Sequence, residues 1–181
     1  MDDGVDEGDY LIFDRKQHLI SSVTHTDGTV FEIPPRPITQ QPPLKLHRRN
    51  NEVKLDNAPM VGKEKPHHRQ LYVNDAICYN VVAVKGLLKD VQQALTEFRK
   101  TLAGEHAKLL PRLPADQQEP CDLALNIFYP AWQLEYGLPI QEWDEQGRGQ
   151  TLIDYKEKVT LDDKLFTLPP GYRHYTTDSM Q

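Results

Sequence analysis

The sequence contains no long run of apolar residues. A membrane-spanning helix needs about 20 apolar residues in a row, and no run in this sequence is nearly that long. We therefore expect no membrane span. The acidic first residues lack the basic start and apolar run of a secretory signal, which predicts synthesis in the cytosol. Later incorporation into a particle such as a virion would leave no mark in the sequence.

Cysteine is also scarce, because Cys78 and Cys121 are the only two in the chain. Two cysteines do not make the framework of a small disulfide-rich domain, and the default for such a chain is two reduced thiols. A single long-range disulfide is the alternative. Neither cysteine has the glycine-rich or helix-start surroundings of a nucleophile, so we expect structural thiols.

Motifs for metal ligation are missing as well. The seven histidines are not spaced as ligands, and the sequence has neither an HExxH motif nor paired CxxC motifs. His67 and His68 are adjacent and would point apart in a regular element. We therefore predict no metal site and no cofactor, and we expect His106 to be a partly buried structural residue.

Charge and proline, by contrast, are unevenly distributed along the chain. Residues 34–69 hold seven of the fourteen prolines and carry eight basic and three acidic residues in a chain of net charge −6. The remainder is therefore strongly acidic, which predicts contact between this arm and the body, within or between subunits. The candidates for contact with phosphate or an acidic partner are Arg36, Lys45, Arg48, Arg49, Lys63, Lys65 and Arg69.

The patterns predict an α+β fold with N-terminal and C-terminal hairpins around one long amphipathic helix. The regions are an acidic tail (1–9), a β-hairpin region (10–33), a Pro-rich basic arm or linker (34–70), a long helix region (71–111) and a β-rich C-terminal region (112–181). The first hairpin turns at Gly28, and residues 10–13 are a candidate third strand. Further hairpins are predicted over 138–155 and 158–168.

The most regular pattern is an apolar seam with gaps of three and four residues up to Leu102, which resumes at Leu109 after Glu105 or His106 in the intervening position. Its members are Val81, Val84, Leu88, Val91, Leu95, Phe98, Leu102 and Leu109. A period near 3.5 is the coiled-coil period and predicts a helix that packs along a neighbour. The chain has no second long amphipathic helix, so this helix either lies on the chain's own sheet or pairs with another subunit.

The sequence leaves two alternatives for the residue at which this helix begins. Residues 85–110 are good helix formers that end before Pro111, so a helix is predicted there. Upstream, the seam continues and slightly favours a helix from about residue 75. The alternative is a hairpin that turns at Asn74 and Asp75, because the flanking residues are strand-prone.

A cluster of carboxylates near Trp132 and Trp143 is the best candidate for catalysis. Its members are Glu135, Glu142, Asp144, Glu145 and Asp154. Carboxylates beside aromatic rings can bind and cleave a sugar. Gly147 and Gly149 instead predict an ordinary turn that directs these side chains into solvent.

These observations favour a non-catalytic structural or assembly subunit of a multi-subunit complex, such as a viral particle. It would clasp copies of itself or other subunits through the helix and the arms. The alternative is an accessory protein that contacts nucleic acid through the basic arm, residues 36–69. Against it, no Phe, Tyr or Trp for base stacking lies between Phe31 and Tyr72. A hydrolase is the third hypothesis.

Overall fold

The computed structural model of the protein describes residues 8–179, so most of the predicted acidic tail lies outside the described residues. The fold is mixed α+β, as predicted. The described part of the chain forms nine strands in two sheets, one long helix and one short helix. The long helix contacts both sheets.

The first sheet has the order β1-β2-β3-β9. Its strands are β1 (Tyr10–Asp14), β2 (Leu19–Thr24), β3 (Thr29–Ile33) and β9 (Arg173–Thr176). The predicted hairpin is confirmed, with Gly28 at a φ of 56° in its turn, and the candidate third strand forms as β1. Strand β9 was not predicted. It lies parallel to β3, so residues 173–176 extend the sheet that residues 10–33 begin.

The second sheet is antiparallel throughout and has the order β4-β5-β6-β7-β8. Its strands are β4 (Arg48–Val53), β5 (His67–Val73), β6 (Ala76–Val84), β7 (Leu138–Trp143) and β8 (Gly149–Thr151). The predicted hairpin over 138–155 is confirmed in its first part. Strand β6 lies in the middle of the sheet, which explains why Val81–Val84 are all buried.

The long helix, α1 (Lys89–Leu109), begins later than predicted. The prediction of helix from about residue 75 is wrong: Asn74 and Asp75 have φ of 49° and 68° and form the turn between β5 and β6. Gly86, with φ of 77°, lies in the turn that follows β6. Two seam residues, Val81 and Val84, therefore belong to a central strand. Strand-prone residues buried on both faces imitated the helical spacing.

Helix α1 packs on its own chain mainly through its second half. The buried helix residues are Thr101, Ala103, Gly104, Glu105 and Ala107. In the first half, Phe98 makes an edge-to-face contact with Phe13 of β1, with ring centroids 5.8 Å apart. With 21 residues the helix is about 32 Å long, shorter than the sequence suggested.

The arm lies along the body and contributes a strand to it. Residues 34–47 have no regular structure, as expected from their prolines, but β4 and the start of β5 fall inside the predicted arm. Of the arm's prolines, Pro66 is buried. A Cβ atom at Gly104 of α1 would collide with the backbone oxygen of Arg36, so glycine lets the arm cross the helix at close range.

The C-terminal region is less strand-rich than predicted. Residues 120–128 form the short helix α2 (Pro120–Leu123) and a π-helical turn (Ala124–Phe128). The predicted hairpin over 158–168 is wrong, because this segment holds a 3-10 turn (Asp163–Phe166) and no strand. Of the two aspartates that suggested a hairpin turn, Asp162 instead caps this 3-10 turn, because its side chain accepts a hydrogen bond from the backbone of Lys164.

Candidate functional site

Part of the predicted seam is an exposed apolar stripe on α1. We call Val91, Leu95, Phe98, Leu102 and Leu109 the helix stripe. Val91 and Leu109 are each 44% exposed and Leu95 is 38% exposed, while Phe98 and Leu102 are half-buried. Leu88, the remaining seam residue, lies just before the helix and is half-buried. The fully buried residues of α1 therefore lie outside the stripe, and of the stripe residues Phe98 contacts the first sheet through Phe13.

A groove of about 670 Å³ runs beside the helix stripe. One wall is α1, with Phe98 and Leu102, and the other is α2 and the π-helical turn, with Leu125. The floor consists of β6, β7 and β8. An apolar cleft of about 400 Å³ that includes Leu109 shares His106 with the groove and extends it along the helix. His106 is half-buried, as predicted, and its Nδ1 lies 3.2 Å from the backbone oxygen of Asn126.

Glu142 lies on the floor of the groove and is only 2% exposed. The prediction that it points into solvent is wrong, because in β7 it shares the inner face of the sheet with Val81. Its Oε1 accepts a hydrogen bond from Arg99 Nη2 at 3.0 Å and a second one from Gln150 Nε2. Burial, and then the negative charge of Glu142, raise the pKa of the Tyr79 phenol to about 12.

Two buried acceptor atoms in this groove lack a well-formed hydrogen bond. They are Oε2 of Glu142 and Oε1 of Gln133, a residue that is 3% exposed. The Tyr79 hydroxyl makes a weak side-chain hydrogen bond with Glu142, but no donor within residues 8–179 forms a hydrogen bond of good geometry with Glu142 Oε2 or Gln133 Oε1. Buried polar atoms usually have partners, so such atoms point to a ligand or solvent donor.

Two other carboxylates of the predicted cluster, Asp144 and Glu135, have ion-pair partners different from that of Glu142. Asp144 closes the β7–β8 turn. Burial acts to raise its pKa, but hydrogen bonds from the side chain and backbone of Arg148 and from the backbone of Gln146 outweigh burial and hold the pKa below its usual range. Glu135 is exposed and pairs with Arg48 at 2.9 Å.

Cys78 and Cys121 form a disulfide, so the expectation of two reduced thiols is wrong. The bond links β6 to α2, with Cα atoms 5.3 Å apart. Both residues line the groove. The disulfide thus fixes one wall of the groove to its floor.

Arginines of the basic arm form ion pairs with carboxylates of the same chain. Arg36 pairs with Glu105 at 3.1 Å and with Asp178, which also contacts Lys108. Hydrogen bonds from Lys108 and then from Arg36 hold the pKa of Asp178 below its usual range. The predicted contact between the basic arm and the acidic body is confirmed within one chain.

The other arginines of the arm stack on aromatic rings. Arg48 lies 4.8 Å from the Tyr129 ring and Arg49 lies 4.0 Å from the Tyr72 ring. Arg69 pairs with Glu52 at 2.7 Å. The three lysines of the predicted set have exposed side chains with no ion-pair partner in the described range; they are Lys45, Lys63 and Lys65.

A second exposed apolar feature lies at residues 152–168, which we call the strap. It connects β8 in one sheet to β9 in the other. Ile153 is 95% exposed, Leu165 is 61% exposed and Phe166 is 60% exposed. Every residue from 156 to 167 is exposed, whereas Tyr155 is half-buried and packs near Leu138.

Sequence reasoning missed several of these residues. Arg99 and Gln133 carry no local pattern, because only the tertiary fold brings them to Glu142. The strap was mistaken for a hairpin, since its apolar residues are strand-prone. A better signal was its lack of any strict alternation, which a half-buried strand requires.

Comparison of the chain with protein-family models, with curated proteins and with solved structures finds no match. Within residues 8–179, none of the helices is both long enough and apolar enough to cross a membrane. The same residues contain no cluster of three or more His, Cys, Asp or Glu side chains arranged to hold a metal ion.

Proposed function

We propose that this protein is a non-catalytic structural subunit that assembles with copies of itself or with other subunits. The helix stripe and the strap are its contact surfaces. One observation carries this proposal: of fourteen large apolar side chains exposed in the described chain, ten lie on the strap or on α1 and the turn after it. Apolar side chains scattered singly over a surface are ordinary, but two concentrated features mark interaction sites.

The strap supports this proposal through its lack of contacts. Between residues 156 and 167 its hydrogen bonds are local: the backbone of Leu165 bonds to Asp162, and that of Thr167 bonds to Lys164. A connection of this length without strand or long helix is uncommon in a compact domain and is usually functional. Contact with a neighbouring subunit would bury its apolar side chains.

Substitution of Leu95 by aspartate tests the proposal. Because Leu95 is 38% exposed in the single chain, we expect Leu95→Asp to leave the melting temperature within about 3 °C of the wild type and to lower the molar mass in solution. Lys100→Asp, which places a carboxylate at an exposed polar position of the same helix, is the control and should keep the wild-type mass. A Leu95→Asp protein of unchanged mass would contradict assembly through the helix stripe.

Contact with nucleic acid remains the second hypothesis, and the geometry favours it less. Arg36, Arg48 and Arg69 already hold carboxylates of the same chain. The outer face of the second sheet does bring Arg49 to Tyr72, which the sequence alone did not suggest. Salt-dependent binding of a short single-stranded oligonucleotide, weakened by Tyr72→Ala, would support this hypothesis.

Hydrolysis by the carboxylate cluster has less support still. A pair of catalytic carboxyls needs one that keeps a proton near neutral pH. The pKa of Asp144 is instead lowered, and Glu142 is held by Arg99 and Gln150. We therefore assign Glu142 to binding rather than to catalysis.

The disulfide indicates the redox state of the compartment in which the assembled protein functions. Disulfides persist in oxidising surroundings and are rare in the reducing cytosol. The Cys78–Cys121 bond therefore favours a setting outside that compartment, such as an extracellular particle. Synthesis in the cytosol followed by incorporation into a particle agrees with the disulfide and with the lack of a secretory signal pattern in the first residues.

A further inference from the structure

The groove beside α1 has more hydrogen-bond acceptors than its own chain can use. Glu142 and Gln133 are both almost fully buried, both line the groove, and each has one side-chain oxygen without a well-formed hydrogen bond among the described residues. The chemical group that would complete these oxygens is a donor, such as an ammonium, a guanidinium or a backbone N–H.

The rim of the groove carries an excess of negative charge. Arg99 and Arg148 are the groove's two guanidinium groups, and each is held by a carboxylate of the groove itself. The remaining carboxylates of the lining are exposed and have no ion-pair partner in the described chain; they are Glu119, Asp122 and Glu145. A ligand of this groove should therefore be positively charged.

The walls of the groove also carry apolar side chains. Phe98 and Leu102 form the α1 side, and Leu125 and Pro130 lie opposite them. The adjoining cleft continues this apolar surface past Leu109. The ligand should therefore carry apolar groups beside its positive charge, which fits a peptide segment better than a small hydrophilic cation.

The strap as a whole has four acidic residues and three lysines, but its stretch 156–161 has this chemistry, with two lysines, one glutamate and two large apolar side chains. Lys156, Lys158 and Lys164 are exposed and have no ion-pair partner among residues 8–179. Val159 and Leu161, which follow Lys158 in the chain, are 52% and 53% exposed. The helix stripe from Phe98 to Leu109 is about 17 Å long, which an extended segment covers with about five residues.

The strap of one molecule is directed away from its own groove. Tyr155 packs beside Val84 and Leu138, where β6 ends. The groove lies at the opposite end of β6, around Cys78 and Tyr79. No strap residue contributes to the lining of the groove or of the adjoining cleft.

We propose that the groove of each molecule binds the strap of a second copy, with a strap lysine directed at the buried acceptors of Glu142 and Gln133. This inference rests on the proposed assembly function and names the contact that produces it. The two surfaces differ, so the contact is head-to-tail: each copy offers one strap and one groove, and the copies join into a ring or a filament.

Complementation between two defective variants tests this contact. The strap variant carries Val159→Asp and Leu161→Asp, and the groove variant carries Asp122→Lys and Glu145→Lys. All four positions are exposed, so both variants should fold. A control with Asp27→Lys and Glu64→Lys has the same charge change as the groove variant at exposed positions away from the groove.

Molar mass by light scattering after size-exclusion chromatography is the measurement. We expect each variant alone to be monomeric and the control to assemble like the wild type. An equimolar mixture should reach twice the monomer mass and no more, because only one intact strap and one intact groove can meet. A mixture that stays monomeric while the wild type assembles would overturn this inference and leave the assembly function standing.

A labelled strap peptide, residues 152–168, gives a second test that does not depend on assembly. We expect saturable binding to the strap variant, whose groove is intact, and at least tenfold weaker binding to the groove variant. A scrambled peptide should bind neither. Equal binding to both variants, or none, would overturn the inference, even if the wild type proves to be monomeric and the assembly function fails.

Discussion

Strand β6 and the strap are both rich in aliphatic and β-branched residues, yet the chain covers them very differently. In β6, Val81 and Val84 have no exposed surface, because neighbouring strands flank the strand and helical segments cover its inner face. In the strap, Ile153 is 95% exposed and Phe166 is 60% exposed. The apolar residues of β6 therefore stabilise the single chain, whereas those of the strap are available to a neighbour.

The same contrast exists within α1. Its second half is buried through small residues such as Ala103 and Ala107, which let other elements approach closely. Its first half exposes Val91 and Leu95. Apolar spacing alone thus did not identify the face that packs within the chain.

The largest effect is expected for a charge in β6. Val81→Asp places a carboxylate where the side chain has no exposed surface, which should cost about 4–5 kcal/mol and prevent folding or strongly lower the melting temperature. Thermal unfolding followed by circular dichroism measures it. A variant that melts like the wild type would remove the distinction between β6 and the strap.

Loss of the disulfide should have the next largest effect. The bond closes a loop with a sequence separation of 43 residues, so replacement of both Cys78 and Cys121 by alanine should cost about 2–4 kcal/mol. Urea unfolding with and without reductant measures this loss. A double variant as stable as the oxidised wild type would show that the wall of the groove is held without the disulfide.

The ion pair between Arg99 and Glu142 should contribute less to the free energy of unfolding than the disulfide does. Arg99→Ala leaves the carboxylate of Glu142 buried without its counterion. Because a quarter of the Arg99 side chain is exposed, the cost should be about 2–3 kcal/mol rather than the full value for a buried pair. Urea unfolding is again the measurement, and addition of Glu142→Gln should recover most of the loss. No recovery would mean that Arg99 acts through packing and not through charge.

These sites show how far the sequence could predict the structure. The first hairpin, β7 and the existence of α1 were predicted, since local spacing and turn residues determine them. The start of α1 was not, because Val81 and Val84 continue a helical period by coincidence in a strand. The pairing of Glu142 with Arg99, the disulfide and the addition of β9 to the first sheet depend on contacts between distant residues, which a single sequence does not reveal.

Low pH should reduce the free energy of unfolding through Glu97 and not through the strap. A hydrogen bond from Arg15 lowers the pKa of Glu97 from 4.5 to about 2. A lowered folded-state pKa contributes stability above the unfolded pKa, and this stability is lost as the pH falls from about 4.5 towards 2. Urea unfolding between pH 5 and pH 3 should show a smaller acid loss in Glu97→Gln. The strap substitution Glu157→Gln is the control, and an equal change in both would contradict this assignment.

The smallest effect on stability is expected in the strap. Ile153→Asp should change the unfolding free energy by no more than about 0.5 kcal/mol, because the side chain is 95% exposed and makes little contact with the body. Chemical unfolding of the variant at a concentration where it is monomeric measures this. A loss of several kcal/mol would show that the strap packs on its own chain.

The most direct test of assembly through exposed apolar surfaces is sedimentation velocity over a range of concentrations. The account predicts that the wild type sediments as a species larger than the 20.9 kDa monomer. It also predicts that a second strap variant, with Leu165→Asp and Phe166→Asp, sediments as the monomer with unchanged melting. A wild type that remains monomeric at the highest concentration, or a strap variant that assembles as fully as the wild type, would contradict it.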